Sequence, residues 1–183
     1  MNNTNPVNGD GLQAFVEKLD ELHYDEINAL CYIAKKQLLK VQKLEEPNAP
    51  SQYIKSLEGL NEEVEQYIKV KKEYLVPYIH SLFEKNETGH DCRNCTGSGS
   101  CNIQHEMQLT ELKQSHIQLK DLIYRLQMLG LPPYSETSLV PSYNILRNQM
   151  AIIESCLSEV FRIEEIYLIP KVAEAQKNIH ARA

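Results

Sequence analysis

Tryptophan is absent from the 183-residue chain and phenylalanine occurs only three times, although tyrosine occurs ten times. Positive charge is also short: 19 Lys and Arg stand against 25 Asp and Glu, a formal net charge of −6. Nucleic acids and anionic membrane surfaces are bound through basic faces, so neither is expected as a partner. No stripe of basic residues interleaved with aromatics offsets that balance. No apolar run approaches the ~20 residues that a membrane-spanning helix needs, so no membrane partner is expected. The opening residues 1–11 are polar and lack the charged and apolar zones of a secretory leader. They read as a disordered tail, and the expected compartment is the cytoplasm. There is no Gly-rich phosphate loop, no nucleophile elbow, and no Ser or Cys with a base at suggestive spacing. Catalysis therefore has no support in the sequence.

Cysteine is scarce as well, at five residues, yet three of them fall close together. Cys92, Cys95 and Cys101 are followed by His105, a C-x2-C-x5-C-x3-H pattern. Two thiolates two residues apart can bind one metal ion, and a later Cys and His can close a tetrahedron around it. Gly97, Ser98, Gly99 and Ser100 let the backbone turn between the two halves. Structural zinc is the leading reading. His105 is preferred over His90 as fourth ligand because it stands one helical turn from Cys101. Three other readings remain: a Cys92–Cys95 thiol switch, a three-cysteine iron–sulfur site, and idle cysteines in a flexible loop. An odd cysteine count in a reducing compartment favours metal over disulfide.

The chain is long enough for one domain with a real core. Apolar residues recur at three and four positions over four segments, the period of one helix face. The first runs from about Leu12 to Leu44, with Phe15, Leu19, Leu22, Ile27, Leu30, Ile33, Ala34, Leu38 and Val41 on one side. Pro47 and Pro50 end it. The second runs from about Gln52 to Lys85, and Pro77 inside it predicts a bend. A Cys-rich loop over residues 86–102 follows. The third segment runs from about Ile103 to Leu129, with His116 among its leucines, and Gly130 in the C-cap place. The fourth begins near Ser142 and reaches about Ile179, with Ile145 among its apolar positions and Pro170 inside it. No alternating strand pattern competes. The expected fold is all-α, a four-helix bundle over residues 12–179. Cys31 and Cys156 lie among Leu and Ile and read as core residues.

The second and fourth segments echo each other. Tyr74-Leu75-Val76-Pro77 matches Tyr167-Leu168-Ile169-Pro170. With the order of the helices and the Leu131-Pro132-Pro133 stretch, these motifs resemble the hemerythrin-like family, most of all its di-iron proteins linked to repair of iron–sulfur centres. The resemblance covers roughly Leu12 to Val172. It implies an up-down antiparallel bundle with a His and a Glu one turn apart before each of the two prolines. Counted back from Pro77, Tyr67 stands in the place of the His and Lys71 in that of the Glu. Counted back from Pro170, Val160 replaces the His while Glu164 keeps the carboxylate. His23, near the family's first-helix His, is the best surviving ligand candidate, and it reads equally as a surface histidine beside Asp20 and Asp25. The family's third-helix His-x-x-x-Glu has no match, since His105 is followed by Leu109 and His116 by Lys120 at that distance. His80 and Glu84 lie past Pro77 and read as a solvated pair.

Di-iron is therefore not expected. A dismantled metal centre leaves polar groups in an apolar bundle, and these must find partners. Lys71 and Glu164 are expected to approach each other, with Tyr67 nearby. The function that follows is non-catalytic: a hemerythrin-like protein carrying a Cys3His zinc site, acting in a metal, redox or nitrosative-stress response through an unidentified protein partner, with a homodimer left open. One alternative is an active di-iron protein for iron–sulfur centre repair or O2/NO binding. Another is a plain protein-interaction module.

Overall fold

The computed structural model describes residues 11–43, 51–87, 104–130 and 141–181. The described residues are helical throughout, apart from Gly11, and form four rods with no strand. The first rod comprises α1 (Leu12–Leu19), a π-helical turn π1 (Asp20–Tyr24) and α2 (Asp25–Lys43). The second comprises α3 (Ser51–Val70), π2 (Lys71–Leu75) and α4 (Val76–Glu87). The third is the single helix α5 (Gln104–Gly130). The fourth comprises α6 (Pro141–Ile163), π3 (Glu164–Leu168) and α7 (Ile169–Ala181). Pro141 rather than Ser142 opens the last rod, in the first-turn position where a missing N–H costs nothing.

The sequence predicts a bend at Pro77; what the structure places just before each mid-rod proline is a π-helical turn. Each follows a π turn that ends two residues before it, at Leu75 and at Leu168. Proline lacks an N–H and its ring displaces the carbonyl four residues back. A wider turn at that carbonyl accommodates both effects. The first rod has a π turn without any proline. π turns of this kind concentrate at functional sites.

Burial of the apolar stripes builds one continuous core. Leu57, Leu60, Ile68, Ile79, Leu126, Leu146, Met150 and Ile153 are almost fully enclosed. The helix α2 packs along α3 and α6, α3 packs on α5, and α4 packs against α1 and α7. Tyr53 meets Tyr143 edge to face, with ring centroids 5.2 Å apart, near the starts of the second and fourth rods. Near their ends Gln176 donates to the Tyr78 hydroxyl at 2.7 Å. Cys31 is buried and free, its thiol pushed up to about 12 by burial. Cys156 is free and half-buried. Both pack as small apolar residues.

Three residues expected on the buried faces are instead exposed: Leu22 at 62 %, Ile33 at 48 % and Ile145 at 49 %. For Leu22 the cause is π1. The buried positions step from Leu19 to Tyr24, five residues rather than three or four, because the π turn holds one extra residue. Ile33 and Ile145 each flank a buried neighbour, Ala34 and Leu146, and a helix face about 100° wide takes only one of each pair. No helix among the described residues is long and apolar enough to cross a membrane.

Candidate functional site

Every rod sends a polar side chain into the middle of the bundle. The hub is Glu164, the first residue of π3, whose side chain is fully enclosed. Tyr24, the last residue of π1, donates its hydroxyl to Glu164 Oε1. Tyr67 of α3 donates to Oε2 at 2.6 Å. Lys71, the first residue of π2, donates its ammonium to the same oxygen at 3.1 Å. His116 of α5 brings Nε2 to within 2.6 Å of Oε2. The Tyr67 hydroxyl also lies 3.1 Å from His116 Nε2, and Lys71 Nζ sits 4.6 Å from the centre of the Tyr67 ring. Phe161 closes the cluster from the fourth rod, its ring centroid 4.6 Å from that of His116.

A second layer leads outward. His116 Nδ1 lies 3.0 Å from Glu165 Oε1, and Lys120 Nζ lies 2.7 Å from that same oxygen. Glu165 thus meets the outer nitrogen of the ring whose inner nitrogen meets Glu164. Nearby, Lys72 Nζ is 2.7 Å from Asp20 and from Asp25, which ties π2 to the first rod beside the cluster.

The electrostatics follow from enclosure and partners. Burial raises the Glu164 pKa, but the Lys71 ammonium and the donors from His116 and Tyr24 outweigh it and hold the carboxyl at about 2. Burial pulls the Lys71 ammonium below its ordinary range, and Glu164 offsets only part of that. Tyr24 and Tyr67 are pushed well above the usual phenol range, first by burial and then by the Glu164 charge. The phenols therefore stay protonated and act as donors. One ammonium and two phenols thus converge on one carboxylate, a compact unit in a low-dielectric interior.

Among the sequence-predicted residues, Lys71, Glu164 and Tyr67 come together as expected. Val160 lies one turn before Glu164 and is buried in the apolar core. His23 does not join the cluster: it is half-buried, and its neighbour Tyr24 takes the inward place. The reason is the extra residue of π1, which turns position 24 inward. His116 was legible as a member of the α5 stripe, between Leu112 and Leu119, but not as a partner of Glu164. A polar residue on an apolar stripe demands a buried partner, and that demand is the signal pointing to it. Cys92, Cys95 and Cys101 lie outside the described residues. So does the side chain of His105, whose backbone falls in the first turn of α5. No group of three or more His, Cys, Asp or Glu suited to a metal ion occurs among the described residues.

No family model matches the chain. A stretch of 92 residues is 34 % identical to the Agamous-like MADS-box protein AGL27 of Arabidopsis thaliana, covering 43 % of this chain and 47 % of that protein. The chain thus spans less than half the length of the relative it matches.

Proposed function

We propose that the protein is a non-catalytic hemerythrin-like bundle of up-down antiparallel topology. In this reading an ion-pair cluster fills the interior place where the family carries di-iron. The observation that supports it is the Lys71 ammonium 3.1 Å from Glu164, the one fully enclosed carboxylate of the cluster. A di-iron centre draws on several inward carboxylates and histidines. Here a cation, two phenols and one histidine surround a single carboxylate, and this donor set does not fit two iron ions. The work that remains is binding or regulation, in a metal, redox or nitrosative-stress response. The Cys92, Cys95, Cys101 and His105 set supplies a zinc site that pins the connection between the second and third rods.

Elemental analysis of protein purified without added metal tests both halves. The expected result is about one zinc ion per chain and no iron, as a closed Cys3His site requires. Two irons with an oxo-bridge absorption band would sink the ion-pair reading in favour of an active di-iron protein. Absence of any metal would remove the zinc site and leave a plain interaction module. Cys92→Ser gives a further expectation: zinc is released while helix content stays nearly intact, because the core lies in the rods. Global unfolding of this variant, read by circular dichroism, would mean that the metal is integral to the fold.

A further inference from the structure

A groove of about 840 Å3 runs between the second rod and α5, and Tyr67 and Lys71 lie among its lining residues. That volume is ordinary for a small-molecule site. Its walls are apolar, with Val70, Leu112, Leu119 and Leu122. Apart from Lys71, its charged lining is mostly acidic: Glu63, Glu111 and Asp121 stand against Arg125, and Arg125 is itself paired with Asp121. Lys71 is only 3 % exposed, yet its ammonium carries three N–H donors and has one hydrogen-bond acceptor among the described residues, Glu164. The arrangement suits a molecule with an apolar body and an uncharged acceptor at one end. An anion would meet the acidic lining and sit beside the buried Glu164 charge.

We infer that this groove takes an apolar aldehyde or ketone and presents its carbonyl to Lys71, which binds it covalently as an iminium. The step balances with the residues at hand. Glu164 Oε2, 3.1 Å from Nζ, accepts one ammonium proton and frees the amine. The amine nitrogen forms a bond to the carbonyl carbon, and a proton moves from nitrogen to oxygen to give a carbinolamine. Glu164 returns its proton to the carbinolamine hydroxyl, which leaves as water, and the C=N bond forms. The product is a cation at the place of the ammonium, so the buried ion pair keeps its charges. Burial supports the chemistry by favouring the free amine at Lys71. Tyr67 and His116 keep Glu164 positioned throughout. The inference concerns the bundle interior and does not depend on zinc in the loop.

The adjacent lysine provides the internal control, since Lys72 is more exposed and its ammonium is held by Asp20 and Asp25. The whole protein is incubated with octanal and cyanoborohydride at neutral pH, digested, and read by peptide mass spectrometry. Lys71 is expected to gain the octyl group about tenfold faster than Lys72, as a preference near 1.4 kcal/mol gives. Labelling at Lys72 equal to or faster than that at Lys71 overturns the site. Ser115→Trp, at a half-buried groove position, tests the route in a variant shown to be folded by circular dichroism. Labelling should fall at Lys71 and persist at Lys72. Unchanged labelling at Lys71, or an equal fall at both lysines, overturns the groove as the binding place.

Discussion

Glu164→Ala is expected to destabilise the protein by about 3–5 kcal/mol, the range for breaking a buried ion pair from one side. The substitution strands the Lys71 ammonium in the interior and leaves the Tyr24 and Tyr67 hydroxyls and His116 Nε2 without their shared acceptor. The loss should not be read as the net worth of the pair. Desolvating both charges consumes most of what their attraction returns, so replacing the two together is far milder. Lys71→Met combined with Glu164→Leu should therefore recover a large part of the single-variant loss. Urea unfolding of the wild type, both single variants and the double variant closes the cycle. A coupling energy of at least about 1 kcal/mol is expected for residues in one network. Additive losses would mean that the two side chains act independently.

Acid should act through the same carboxylate. Glu164 is held at about 2, against an ordinary value of 4.5. Below pH 4.5 the unfolded chain takes up this proton and the folded chain does not. Its stabilising contribution is thus complete above that pH and disappears as the pH falls towards 2. The interval corresponds to about 3 kcal/mol at 1.36 kcal/mol per pH unit. Other carboxylates titrate in the same window, so the useful quantity is a difference. The stability gap between the wild type and Glu164→Gln should shrink by that amount between pH 6 and pH 2. A gap that stays constant over this range would show that folding does not shift the Glu164 pKa.

The helical segments and their ends were legible because apolar spacing, prolines and glycine all act locally. The Lys71–Glu164 pairing was legible for a different reason. The two Tyr-Leu-aliphatic-Pro motifs fix equivalent heights on two rods, so residues counted back from each proline meet at one level. Tyr24 was hidden because spacing counts assume 3.6 residues per turn, and π1 breaks that count between Leu19 and Tyr24. The same break explains why Leu22 faces outward. A histidine also drew attention to position 23 by its ligand chemistry, whereas a phenol beside it gave no such hint. His116 was missed as a partner because its contacts are to residues 48 and 49 positions away, Glu164 and Glu165. No local pattern encodes a meeting at that distance.

The π turns also set the phase of the apolar stripes. In the first rod Phe15, Val16 and Leu19 precede the extra residue, and Ile27, Cys31, Ala34 and Leu38 follow it. These two stripes share a face only because one surplus residue lies between them. An ordinary α turn in its place would rotate the second stripe by about 100° relative to the first. Tyr24 stands at that phase change, as Lys71 and Glu164 stand at the first residues of the other two π turns. The polar interior and the apolar packing are thus a single length constraint on the chain: shortening a rod at its π turn disassembles the cluster and the core together.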